Sequence, residues 1–134
     1  MTNTAAMPKV GEICWNELAT GDVQGAKNFY GKVFGWQFEE HDMGDMTYTM
    51  VKMPGKECGG AGIWAIPKEQ QKHIPPHWMS YILVENLEES LDKAKENGAT
   101  VIKPAMNVGD YGRMAIFSDP TGAHIAIWQN LRSC

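Results

Sequence analysis

A glycine that closes one helical segment, Gly35, recurs as Gly98, and the string Gly60-Ala61-Gly62-Ile63 recurs as Gly122-Ala123-His124-Ile125, at offsets of 63 and 62 residues. No other feature constrains the fold as much, because a near-constant offset across a helix end and a strand start asks for two copies of one supersecondary unit. The surroundings repeat too. In GDVQGAKNFYGKVFGW, Asp22 can cap the first turn, Val23, Ala26, Tyr30, Val33 and Phe34 fall at helical spacing, and Gly35 supplies the left-handed stop. In ENLEESLDKAKENGA, Asn86 caps with Glu89 three residues on, Leu87, Leu91 and Ala94 form the apolar stripe, and Gly98 ends the helix. Strand-like runs precede each helix, EICWNELAT and HWMSYILVE. Three extended segments follow each: WQFEEHD, MTYTMVKM and GGAGIWAI after the first, ATVIKPA, YGRMAIFSD and TGAHIAIWQ after the second. The order is βαβββ, twice. The intervening PKEQQKHIPP is polar and proline-bounded and reads as a linker. The pattern predicts one α+β domain over 10–130, with a first unit at 10–66, a linker at 67–76 and a second unit at 77–130.

Each unit is too small to bury its sheet alone, so the two are expected to close on each other. The whole chain, 134 residues with 43% hydrophobic content, is large enough for a core without a metal or disulfide to prop it up. Any metal would therefore serve chemistry. Net charge is −4 from 12 basic and 16 acidic residues. The two signs are interspersed, so no basic stripe exists to track a phosphate backbone, and nucleic acid is not an expected partner. No apolar run approaches the roughly 20 residues that cross a bilayer, and MTNTAAMPKVGEICW has neither an apolar signal core nor a basic cluster before one. A cytoplasmic protein without a membrane partner is expected. The three cysteines, Cys14, Cys58 and Cys134, are odd in number and lack CxxC spacing, which suits free thiols in a reducing compartment. Cys134 is not set in a prenylation box.

Gly21-Asp22, Phe29-Tyr30, Phe34-Gly35-Trp36, Asn86, Gly98 and Asp119-Pro120-Thr121-Gly122, set in paired βαβββ units, resemble the vicinal oxygen chelate superfamily. That group includes glyoxalase I, the extradiol dioxygenases and the bleomycin resistance proteins. More narrowly, GRMAIFSDPTGAHIAIWQ with PPHWMSYILVE resembles glyoxalase-related bacterial proteins labelled as hydroxylases or as lyase-like. The DPTG string has its own physical reading: Asp119 opens a turn, Pro120 presets φ, and Gly122 suits the fourth position, so the chain can reverse between antiparallel strands. The resemblance implies two tandem βαβββ units forming a curved mixed sheet cup, with the helices on its outer face.

In the metal-dependent glyoxalases, four strands each supply one ligand to a metal in that cup. Carried over through the Gly-Asp pair, the Asn86 cap and the DPTG turn, those positions become Trp15, Trp64, Met79 and Ala126. None is an ordinary ligand for a divalent metal, which wants imidazole and carboxylate. No cofactor is expected at the family's positions. A displaced divalent metal is the alternative: Glu17, His77 and His124 share strand parity with those positions and would make a two-histidine, one-carboxylate set. His41 and His73 sit in polar stretches and are expected in solvent.

Alternation along the strands puts Trp15, Trp64, Tyr81 and Trp128 on the cup side together with Met79 and Ala126, an aromatic lining suited to a planar or amphipathic small molecule. Glu17 on that side is the candidate general base. Cys14, Leu18, Ile82 and Ile125, at the other parity, are expected to face the helices, with Cys14 a small buried hydrophobe. Arg113, after Tyr111-Gly112, is a candidate to reach over the cup mouth to an anionic group. GGAG carries neither a Walker lysine nor GxGxxG spacing and serves strand packing. Two functions stand against each other. One is a metal-free binding protein of the bleomycin-resistance type. The other is a lyase, isomerase or oxygenase of the glyoxalase type using Glu17. Glyoxalase I activity itself is not expected, and single-domain relatives of this kind imply a homodimer.

Overall fold

The computed structural model describes residues 8–44, 46–53 and 60–132. Cys58, Cys134 and the first glycine of GGAG lie outside them. The described residues form eight strands, two α-helices and a short 3-10 turn, and the chain divides into two compact units.

The first unit spans Trp15–Met79. It contains most of β1 (Ile13–Thr20), then α1 (Val23–Phe34), β2 (Gln37–Asp42), β3 (Thr47–Lys52) and β4 (Ala61–Ala65). The strands lie in the order β2-β3-β4-β1, with β1 parallel to β4 and the other pairs antiparallel. A helix is needed between β1 and the strands that follow because a parallel pair cannot be closed by a tight hairpin. The Asp22 carboxylate accepts from the Gly25 amide at 2.9 Å, and Gly35 takes a φ of 73°, where a side chain is disfavoured, to end α1. Leu18, Val51, Ala61 and Ile63 form the buried core, and Val23, Ala26 and Tyr30 of α1 pack on it. Val33 and Phe34 do not, being 54% and 56% exposed. The helical spacing grouped all five residues, but the packed stripe covers only the first two turns. The last turn instead feeds a surface aromatic group in which Tyr30 stacks on Trp36 and accepts a hydrogen bond from the Trp78 indole at 3.1 Å. The proline-bounded linker is not featureless: Lys68–Gln70 makes a turn of 3-10 helix.

The second unit comprises residues 80–134 with the segment ending at Cys14. β5 (His77–Leu83) leads into it, followed by α2 (Leu87–Glu96), β6 (Thr100–Val108), β7 (Gly112–Ser118) and β8 (His124–Asn130). Strand order is β5-β8-β7-β6, again with the first strand of the unit parallel to the last. Gly11 N donates to Leu83 O at 2.8 Å and Leu83 N to Glu12 O at 2.9 Å, which ties the segment before β1 to this unit. Asn86 caps α2 by accepting from Glu89 N at 3.0 Å. Leu87 and Leu91 are buried with Ala115 and Ile127, and Ile82, Val84 and Phe117 pack against them. The DPTG turn closes as expected, Gly122 N donating to Asp119 O at 2.9 Å.

Both units thus repeat the βαβββ order, and the α+β class with two tandem copies stands. Among the described residues no helix is long and apolar enough to cross a membrane.

Candidate functional site

Strand alternation sorts the first unit's side chains onto two faces. Leu18, Val51, Ala61 and Ile63 face α1, so Trp15 and Glu17 on β1, Tyr48 and Met50 on β3, and Gly62 and Trp64 on β4 occupy the face without a helix. Glu17 is paired with Gly62 across the parallel ladder, and Met50 with Gly62 across the antiparallel one. The Tyr48 ring lies directly over Gly62, where any β-carbon would collide with its hydroxyl and ring. From that place the Tyr48 hydroxyl donates to Glu17 Oε2 at 2.7 Å and accepts from Trp15 Nε1 at 3.1 Å. Trp15, Glu17, Tyr48 and Trp64 are all half-buried. The expected cup-side parity of Trp15, Glu17 and Trp64 is therefore the parity of the face opposite the helix.

Tyr48 was not among the sequence candidates. Its signal was present: in MTYTMVKM it alternates with Thr49 and Val51, which the sheet buries. What sequence could not supply was register, which brings a β3 tyrosine over a β4 glycine and within reach of a β1 carboxylate.

The second unit uses the same device with other residues. The Trp128 indole covers Gly112, again filling the space of a β-carbon. Its Nε1 donates to Asn130 Oδ1 at 2.7 Å. Tyr81 packs edge-to-face on Trp128 with ring centroids 6.3 Å apart, and its hydroxyl lies 3.9 Å from Met114 Sδ. Tyr81, Met114 and Ala126 are buried, so on this unit Trp128 is the more accessible of the candidates. Met79 is half-buried at the end of the first unit.

Arg113 belongs elsewhere. It shares parity with Ala115 and Phe117, which pack on α2, and its guanidinium donates to Glu88 at 2.8 Å and to Asn107 at 2.9 Å. The hydrogen bond from Arg113 lowers the Glu88 pKa. The expected reach over a cup mouth gives way to an ion pair with the first turn of α2, because strand alternation turns residue 113 to that side.

The donor chemistry does not suit a metal. Trp15, Trp64, Met79 and Ala126 include no imidazole, carboxylate or thiolate. Among the described residues no three His, Cys, Asp or Glu side chains gather to hold an ion. Glu17 is engaged by Tyr48, His77 Nδ1 is 2.8 Å from the Pro75 carbonyl, and His124 is exposed. Glu17 and His77 belong to the first unit and His124 to the second. Cys14 is half-buried and burial pushes its thiol pKa up, the opposite of a nucleophile's setting. Two open depressions in the first unit, of about 440 and 340 Å³, lie at the β2–β3 hairpin and beside the start of α1, away from Trp15 and Glu17.

The model of the glyoxalase/bleomycin resistance protein/dioxygenase superfamily matches residues 10–127. The chain belongs to this superfamily. Among its relatives, CFP32 of Mycobacterium bovis and Mycobacterium tuberculosis, which carries a glyoxylase name, is 36% identical over 117 residues, covering 86% of this chain and 44% of that protein. The anthracycline biosynthesis protein DnrV of Streptomyces peucetius is 30% identical over 129 residues, covering 89% and 47%. This superfamily member therefore spans about half the length of the curated relatives it matches. Methylmalonyl-CoA epimerase of Streptomyces coelicolor, in complex with 2-nitronate-propionyl-CoA, shares the fold with a TM-score of 0.65 at 12% identity, covering 91% of this chain and 99% of that one.

Proposed function

We propose that this superfamily member binds a small planar or amphipathic organic molecule on the helix-free face of the first unit, without a metal at the family's ligand positions. The observation that carries the reading is the joined Trp15–Tyr48–Glu17 group over Gly62. Large flat rings supply apolar contact, and a carboxylate held among them supplies one orienting polar group, the composition of a small-molecule site. That the Streptomyces coelicolor epimerase carries a small-molecule ligand supports the ligand class, and no more. Titrating aromatic compounds against intrinsic tryptophan fluorescence tests the reading. Quenching by some of them, lost in Trp15→Ala, is the expected result; no quenching by any of them would count against it.

A second reading is favoured by one specific contact. Glu17 is fixed by the Tyr48 hydroxyl, as a general base of a lyase or isomerase would need to be. Turnover by the native chain that disappears in Glu17→Gln while the binding response persists would establish this reading over simple binding.

A homodimer is the assembly we propose from the family resemblance; light scattering on a sizing column tests it. Three cysteines, odd in number and without CxxC spacing, support a reducing compartment, and we propose the cytoplasm.

A further inference from the structure

We propose that Tyr48 is the positioning residue of this site, fixing the Glu17 carboxylate and the Trp15 ring as one hydrogen-bonded unit. The inference rests on reading this face as the ligand site. The direction of the bonds follows from the groups themselves. An indole N–H can only donate, so the hydroxyl 3.1 Å from Trp15 Nε1 is the acceptor there. Its single proton then goes to Glu17 Oε2 at 2.7 Å, and an ionised carboxylate can only accept. A hydroxyl bonded to a carboxylate makes a charge-assisted bond, roughly twice as strong as a neutral one. Bonds in series polarise one another, so an ionised Glu17 would strengthen the Trp15 bond through Tyr48.

Gly62 leaves room for the Tyr48 ring and hydroxyl, which a β-carbon at that position would meet. One residue on β3 thereby sets the rotamer of two on β1, and acts on a ligand through them. Removing the hydroxyl while keeping the ring isolates this role from packing, and Tyr48→Phe does that.

The test is the indole N–H resonance of Trp15 in ligand-free, ¹⁵N-labelled protein. Glu17→Gln is expected to shift it upfield in the native background and to leave it in place when Tyr48→Phe is already present. Glu17→Asp, which keeps the charge but not the reach, should shift it in the same direction. The Trp128 indole, bonded to Asn130, reports an intact fold by staying put. A Trp15 resonance unmoved by Glu17→Gln, or moved equally with and without the Tyr48 hydroxyl, would overturn the proposal. Because no ligand is present, that failure would leave the binding reading standing, and a failed ligand titration would leave the relay standing.

Discussion

The Trp128 indole covers Gly112 so closely that a β-carbon at residue 112 would meet both the ring and the Gln129 backbone carbonyl. At Gly62 the three atoms nearest such a β-carbon all belong to the Tyr48 side chain. A ring can swing aside at the cost of its hydrogen bonds, whereas backbone cannot. Overpacking costs about 1–3 kcal/mol, so Gly62→Ala should fall within that range and Gly112→Ala at or above its top. Urea unfolding of both variants checks the order; equal costs, or a costlier Gly62→Ala, would refute it.

The core of the second unit and the last turn of α1 give opposite expectations for similar residues. Leu87 is fully buried and Phe34 is 56% exposed. Leu87→Ala should cost about 2–5 kcal/mol, while Phe34→Ala should stay within roughly 0.5 kcal/mol of the native chain. Comparable losses in thermal unfolding would mean that Phe34 is covered in solution.

Acid should weaken the fold through carboxylates that the native state holds ionised. Hydrogen bonds from the Thr121 hydroxyl and the amides of Ala123 and Thr121 lower the Asp119 pKa, and Glu39 is lowered by its bond with His41 and by Lys52. A group depressed on folding contributes stability that is present above its unfolded pKa and lost as pH falls through its folded one. The melting temperature should therefore hold through neutral pH and decline below the ordinary carboxylate range. Asp119→Asn should make that acid decline shallower; an unchanged slope would show that the turn does not contribute it.

Burial raises the Cys14 thiol pKa through desolvation. At pH 8 Cys14 should label more slowly than a free thiol, and at the free rate once the chain is unfolded in urea. Mass spectrometry of the Cys14 peptide reads the difference, and labelling at the free rate in the native state would contradict the burial.

Arg113 marks what could and could not be foreseen. The repeat offset, the Asp22 and Asn86 caps, and the Gly35 stop are local chemistry, and each was legible because backbone geometry demands those residue types. Parity placed Trp15, Glu17 and Trp64 correctly on one face, since alternation is a property of any strand. Arg113 obeys the same alternation, but its place after Tyr111-Gly112 suggested a reach over the cup mouth, and the strand beginning at Gly112 turned it toward Glu88 instead. Tyr48 was overlooked for the converse reason: its importance comes from cross-strand register with Gly62, which depends on pairings between strands that no short motif encodes. The exposed end of α1 was misread because helical spacing reports an apolar stripe without saying how much of it a sheet covers.

A ligand should land on the helix-free face of the first unit. In ¹⁵N-labelled, chelator-treated protein titrated with planar aromatic compounds, the Trp15 and Trp64 indole resonances should move with the first compound that binds, while the Trp78 indole on the α1 side stays in place. A panel that leaves Trp15 unmoved, or moves it only after a divalent metal is added back, would contradict the metal-free site.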